Sequence, residues 1–305
     1  MKLSRLWKQP NTWFWIFIIG FVGIVVALWF KRTREPFQGT PLNTAGVPKI
    51  IWSYWDNPDT MPKTVDMCMK SWKKYNPSYT IRMLNKKNYT DYVKIPTEIA
   101  NHPRFNDMPQ RFADLLRCYL IAEHGGVWCD SSILMFQSLD EWMWTEPGKD
   151  LYVFSIEFGN HPQRAPVLEN WFFAAPPKSP FVQQWLQEFL ELMKFDSARV
   201  YVDDLVARGL DNKDWCCPDY LAMHHSAGKV LQLDKYPVSR LKIWPTEKGP
   251  YRYIVENGWN ADAAFEAACK DPSIRKPFMK MRGVERSVLE AGLADKFSND
   301  RCHWI

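Results

Sequence analysis

Directly behind a short apolar run, Val127-Trp128-Cys129, the sequence places Asp130 and then two hydroxyl residues, Ser131 and Ser132. A carboxylate at the C-terminal end of a strand is positioned to meet a ligand at the sheet edge. Mg2+ or Mn2+ is commonly held by one or two carboxylates together with phosphate oxygens and water. Asp130 with the Ser132 hydroxyl is therefore a sufficient donor pair for a metal that clasps a diphosphate. The same tripeptide is also ordinary turn chemistry, in which the Asp side chain bonds its own backbone. Upstream, Asp114 and Arg117 stand three residues apart, so on a helix they share a face. Such a pair can hydrogen-bond sugar hydroxyls through the carboxylate and a phosphate through the guanidinium. Standing alone on a surface it would be an ion pair worth about 0.2–0.5 kcal/mol.

Less specific candidates surround these three. Asp204 and Asp219 are available as a general base should a reaction need one. Asn170 is a polar residue in an apolar run, and it reads equally as a ligand contact or a satisfied structural amide. His224 and His225 are neighbours, and adjacent helical positions point about 100° apart, so packing suits them better than sharing one ion. Lys276, Lys280 and Arg282 either close over a diphosphate from the C-terminal segment or form a solvated charge run.

These residues need a scaffold, and the hydrophobic pattern supplies one. PKIIWSYW (Pro48 to Trp55) reads as a buried strand ended by Asp56-Asn57-Pro58. Thr64 to Tyr75 carries Val65, Met69 and Trp72 at helical spacing before Pro77, and Tyr79 to Leu84 alternates like a second strand. This β-α-β order predicts an α/β fold with a mainly parallel sheet flanked by helices. Met108 to Gly126 reads as a helix carrying Asp114 and Arg117, stopped by Gly125 and Gly126. A strand from Val127, the polar break at Asp130 and a second short strand follow it. Leu151 to Phe158 and Val167 to Ala175 are further strands. Helices are expected over 180–195, 200–208, 219–227, 260–270 and 284–291.

The chain has 305 residues, 46% hydrophobic and 24% charged, enough for a sizeable core and too regular for a disordered chain. Lys plus Arg number 39 and Asp plus Glu 34. Six bases and one acid fall before residue 36; without them 33 of each sign remain. The basic excess therefore belongs to the N-terminus, and nucleic acid is disfavoured as a partner. Trp13 to Phe30 holds 18 uncharged residues, about 27 Å as a helix, with tryptophans near both ends and basic residues beyond them. The expected organisation is a tail over 1–12, a transmembrane anchor over 13–30, a linker over 31–46 and a catalytic domain over 47–305. A cleaved signal peptide is the competing reading of the apolar stretch, but KRTRE follows it in place of small cleavage-site residues. Basic flanks tie on the two sides; the short tail suggests a type II protein, in Golgi or ER membranes or a bacterial inner membrane. Seven cysteines without C-x-x-C spacing give no readable disulfide framework. Asn88-Tyr89-Thr90 is a glycosylation acceptor only if the domain faces a secretory lumen.

The run ADLLRCYLIAEHGGVWCDSSI, Ala113 to Ile133, resembles the signature of GT-A glycosyltransferases of the capsular polysaccharide synthesis and Och1-like mannosyltransferase kind, a group with a DXD sugar-binding region. The shared pattern is an Asp-x-x-Arg helix, a diglycine, an aromatic, and then Asp-x-Asp or Asp-x-Ser/Thr. PKIIWSYW, CMKSW, NPSY, ENWFFAAPPKSP and PDYLAMHH extend the likeness over most of residues 47 to 235. The resemblance implies a GT-A, Rossmann-like domain that transfers a hexose from a UDP- or GDP-sugar to a glycan, lipid-linked or protein-borne acceptor. It implies that Asp130 binds Mn2+ or Mg2+ and the donor diphosphate, that Asp114 and Arg117 contact the donor sugar, and that Trp52 stacks on the nucleotide base. Ser132 stands where the triplet has its second Asp, which points to the capsular branch. Rival readings are a membrane-tethered glycan-binding protein without catalysis, and a metal-dependent phosphotransferase or nucleotidyltransferase.

Overall fold

Four consecutive buried positions, Ile51 to Tyr54, mark strand β1 (Ile50–Tyr54) as one covered on both faces. The computed structural model describes residues 46–156, 165–213, 215 and 217–305. Helix α1 (Lys63–Tyr75) starts behind Pro62 and buries Val65, Cys68 and Trp72 along one face. It ends at Asn76, whose N–H bonds Trp72 O, and the chain returns as β2 (Thr80–Leu84), parallel to β1 with Ile50 opposite Thr80. Pro109 opens helix α2 (Pro109–His124), where a missing N–H costs nothing. Gly125 (φ +65°) and Gly126 (φ +95°) then turn the chain into β3 (Gly126–Cys129). A Cβ on Gly126 would lie 2.8 Å from Ile50 O, so only glycine lets β3 sit beside β1 there.

Strand β4 (Ile133–Met135) leaves the main sheet after the break at Asp130. Strands β5 (Leu151–Ile156) and β6 (Val167–Ala175) follow, and every residue of β6 is buried. Helices α3 (Pro180–Leu190), α4 (Ala198–Ala207) and α5 (Ala222–Gln232) come next. Ser179 and Ser197 cap the first two by accepting from the N–H groups of Val182 and Val200. Strand β7 (Leu241–Pro245), helix α6 (Ala261–Lys270), strand β8 (Phe278–Lys280) and helix α7 (Gly283–Gly292) complete the longer elements.

The main sheet runs β2-β1-β3-β6-β5-β7. Its β1–β2, β1–β3 and β5–β7 junctions are parallel, while β6 is antiparallel to both neighbours, so β6 alone runs against the rest. The expected mainly parallel α/β sheet is present with that one reversal. A second, two-stranded sheet pairs β4 with β8, placing Ile133 opposite Lys280. Neither β7 nor β8 was expected from the sequence, because a three-residue strand such as Phe278-Met279-Lys280 carries no period of its own. The helix expected over 219–227 begins instead at Ala222, after Cys217 adopts a positive φ of 54° and a turn intervenes. The helix expected to reach residue 195 ends at Leu190 and tightens into a 3-10 turn through Lys194.

Tryptophan fills the core. Trp72, Trp128, Trp185 and Trp304 are all fully buried. Three of their indole N–H groups donate to backbone carbonyls, at Ile133, Met223 and Phe297. A disulfide joins Cys269 at the end of α6 to Cys302 near the C-terminus. A separation of 33 residues with no repeat left that pair invisible in the sequence. The anchor expected over 13–30 lies outside the described residues; among those, no helix is long and apolar enough to cross a membrane.

Candidate functional site

Asp130 sits where β3 stops. Its N–H donates to Trp171 O on β6, which pins the residue at the C-terminal edge of the sheet. Helix α2 packs against β3, and the Gly125-Gly126 turn between them brings the helix's inner face over that edge. Arg117 accordingly reaches both acids, 3.2 Å from Asp114 Oδ1 and 3.2 Å from Asp130 Oδ1. Its Nη1 also donates to Asn170 O at 2.7 Å and its Nε to Ala113 O at 3.3 Å. The guanidinium lies 4.9 Å from the Trp128 ring centre, and the Trp128 indole donates to Asp130 Oδ1 at 3.0 Å. The aromatic of the motif thereby gains a physical role, supporting the arginine with its face and the aspartate with its edge.

The structure therefore brings together Asp114, Arg117 and Asp130, and adds Asn170, whose Nδ2 donates to Asp114 Oδ1 at 2.9 Å. The two carboxylates live in different fields. Burial pushes the Asp114 carboxyl up, with Arg117 and then His224 opposing it. Burial also acts to raise Asp130, but the Lys280 ammonium and the Arg117 guanidinium outweigh it and hold that carboxyl below its ordinary range. One acid is thus the better proton holder and the other the firmer anion, the divergence expected where two neighbouring carboxylates take different roles.

Lys280, one of the three basic residues named in the C-terminal segment, joins the cluster. Its Nζ lies 2.9 Å from Asp130 Oδ2 and 3.1 Å from Ser132 Oγ. Ser132 is buried and donates its own proton to Met281 O at 2.8 Å. Both oxygens expected to hold Mn2+ or Mg2+ thus already face an ammonium. The second Asp130 oxygen is engaged by Arg117 and Trp128. Among the described residues no group of three or more His, Cys, Asp or Glu is arranged to hold a metal ion. As arranged, Asp130 Oδ2 and Ser132 Oγ are both partners of the Lys280 ammonium.

Trp52 lies inside the fold. It is 4% exposed, donates its indole N–H to Gly125 O at 2.9 Å, and packs against Tyr92 and His124. It stands mid-strand in β1 opposite Trp128. Of the two candidate bases, Asp204 pairs with Arg208 one turn along α4. Asp219 pairs with Arg199 at 3.4 Å and lines a pocket of about 270 Å3 with Arg104, Asp107, Arg111 and Tyr220. Neither Asp130 nor Arg117 lines that pocket, yet it adjoins them electrostatically. Burial and then the Asp114 and Asp130 carboxylates push the Tyr220 phenol up. Lys276 and Arg282 do not join Lys280, since Arg282 caps α7 by pairing with Glu285.

Sequence reasoning missed one further pair. His224 Nε2 lies 3.4 Å from Glu169 Oε2, both buried, while His224 Nδ1 is buried without a partner. His225 bonds Leu221 O and sits beside Asn212, and burial lowers it to about 4, so it is neutral near pH 7. The two histidines face different surroundings, as adjacent helical positions require.

A model of the family described as capsular polysaccharide synthesis protein matches residues 29–201, which contain Asp114, Arg117 and Asp130. The chain is similar to O-glycosyltransferase braB of Annulohypoxylon truncatum, with 27% identity over 185 residues, covering 55% of this chain and 41% of that protein. It is also similar to glycosyltransferase afumC of Aspergillus fumigatus, with 28% identity over 159 residues, covering 47% of this chain and 40% of that one. The match thus spans less than half the length of these curated relatives. Among solved structures, the PaToxG glycosyltransferase aligns over 85% of this chain and 88% of its own, with a TM-score of 0.40 and 13% identity. The galactosyltransferase LgtC, solved with donor and acceptor sugar analogs, aligns over 80% and 95%, with a TM-score of 0.41 and 14% identity.

Proposed function

The chain belongs to the capsular polysaccharide synthesis protein family, and from that premise we propose that it is a glycosyltransferase moving a hexose from a nucleotide sugar to a glycan, lipid-linked or protein-borne acceptor. The observation that carries this reading is the Asp114–Arg117–Asp130 cluster at the C-terminal edge of the sheet, inside the matched segment. The names of the two curated relatives, both glycosyltransferases, support it.

Sugar transfer asks little covalent chemistry of a protein. It needs charge neutralised on the departing diphosphate and an acceptor hydroxyl held in line with the anomeric carbon. Both contacts to Asp114 fall on Oδ1, so its Oδ2 is the oxygen that would accept from a donor-sugar hydroxyl. Arg117 fixes that carboxylate against Asp130, so a shift in either acid is felt by both. If configuration is retained, the departing phosphate can take the acceptor's proton; if it inverts, Asp219 is better placed than Asp204 because it lines the pocket beside Arg111. The stretch over 13–30 would anchor the protein as type II, and the Cys269–Cys302 disulfide supports an oxidising compartment for the domain.

Screening UDP- and GDP-sugars for nucleoside diphosphate release tests the reading. One donor class should turn over in the wild type, should fall by about 10²–10³ in Asp130→Asn, and should persist in Lys70→Ala, a change at an exposed i,i+4 pair. Release of pyrophosphate in place of nucleoside diphosphate would favour a nucleotidyltransferase, and inert donors throughout would favour a binding protein.

A further inference from the structure

We infer that the Lys280 ammonium is the resident cation of this site, offsetting the charge of the donor diphosphate where a divalent metal would otherwise stand; the inference rests on the transferase reading above. The argument begins with position. Nζ bridges Asp130 Oδ2 at 2.9 Å and Ser132 Oγ at 3.1 Å, the two atoms that the triplet offers to a cation. Charge points the same way. An Asp-x-Asp triplet carries two negative charges and matches a divalent ion, whereas Asp130-Ser131-Ser132 carries one and matches an ammonium. Ser132 donates its proton to Met281 O, so its oxygen lone pairs are the part turned toward Nζ.

Lys280 is also held as a preorganised group should be. It ends β8 opposite Ile133, three residues after Asp130. Its N–H donates to Pro250 O and its carbonyl accepts from the Tyr253 hydroxyl. The side chain is 9% exposed and runs past the Trp171 ring at 5.9 Å. An ammonium has three N–H donors; Asp130 and Ser132 take two, which leaves one for a phosphate oxygen. In the transfer, the anomeric C–O bond breaks with its electron pair going to the phosphate oxygen. The acceptor oxygen bonds the anomeric carbon, and the acceptor's proton passes to the released diphosphate if configuration is retained, or to a carboxylate if it inverts. Lys280 keeps its protons throughout and acts through charge alone. It lies beyond residue 201, where the family match ends, so the triplet's partner is set by a part of the chain that the family pattern does not cover.

Calorimetric binding of UDP and of GDP to the full chain, with EDTA and then with Mn2+, tests this, with Mn2+ paramagnetic resonance as a second readout. One nucleoside diphosphate should bind equally in both conditions, and free Mn2+ should remain unbound. Lys280→Met should weaken that binding by about tenfold or more in EDTA, the loss of one charge-assisted hydrogen bond, and should regain it when Mn2+ is added. Lys280→Arg should keep metal-independent binding, and it carries the test if the Met variant does not fold. Wild-type binding seen only with Mn2+, or Mn2+ held by the wild type in an Asp130-dependent way, overturns the inference and leaves the transferase reading intact. Absence of binding by either nucleotide in every condition overturns both.

Discussion

Replacing Arg117 with methionine strips one cation from a place where two carboxylates depend on it. Arg117 is 5% exposed and Asp114 8% exposed, so water does not make good the loss at Asp114. Breaking a buried pair by removing one partner costs about 3–5 kcal/mol. Two carbonyls, of Ala113 and Asn170, lose their donors at the same time, each worth about 1–3 kcal/mol if left unsatisfied. Lys280 still holds Asp130, and Asp114 can escape its penalty by taking up a proton, so the sum is not fully realised. We expect a net loss of about 4 kcal/mol at pH 7, most of the stability of a marginal domain. The sign with pH follows from Asp114. Its carboxyl is already raised by burial, and Arg117 is the largest influence holding it down, so the variant raises it further. Above the unfolded value, about 3.9, the folded variant then binds a proton that the unfolded chain has released, and stability falls as pH rises toward the folded value. Urea unfolding of wild type and variant at pH 5 and pH 8 should show the smaller loss at pH 5, and Asp114→Asn added to Arg117→Met should recover part of it. An equal loss at both pH values, with no recovery from the second change, would refute the picture of Arg117 as the hub of a buried charge cluster.

Other outcomes follow from single features. Cys302→Ser opens a bridge across 33 residues and should cost about 3.5 kcal/mol in thermal melts, with no loss of nucleotide binding. Gly126→Ala puts a methyl group 2.8 Å from Ile50 O at a φ of +95°, and should cost more than about 2 kcal/mol or abolish soluble expression. Trp52→Phe removes one indole bond to Gly125 O and should cost about 1 kcal/mol while leaving nucleotide affinity unchanged. A large loss of affinity with unchanged stability would restore Trp52 to the base site.

What the sequence disclosed was local. Asp114 and Arg117 share a helix face, the diglycine marks the turn, and Asp130 follows an apolar strand; each is a relation within a few residues. That β1, β2 and β3 run parallel was expected from the alternation of strand and helix, while their order in the sheet was not. Relations across the chain were not legible. Lys280 meets Asp130 across 150 positions, through a three-residue strand that has no signature. Glu169 and His224 meet across 55 positions, one inside a continuous apolar strand and the other inside a helix that also buries its neighbour His225. Trp52's partners were not legible either, because its bond to Gly125 O and its approach to Gly126 join positions more than 70 residues apart.

The most direct test of the central claim is nucleoside diphosphate release from the responsive nucleotide sugar by the full chain, compared with Asp130→Asn. The account predicts turnover in the wild type and a fall of about 10²–10³ in the variant, both assayed at a temperature where they are folded. Equal turnover by both proteins would contradict it, because a site that works without the Asp130 carboxylate is not the one built by α2, β3 and Lys280.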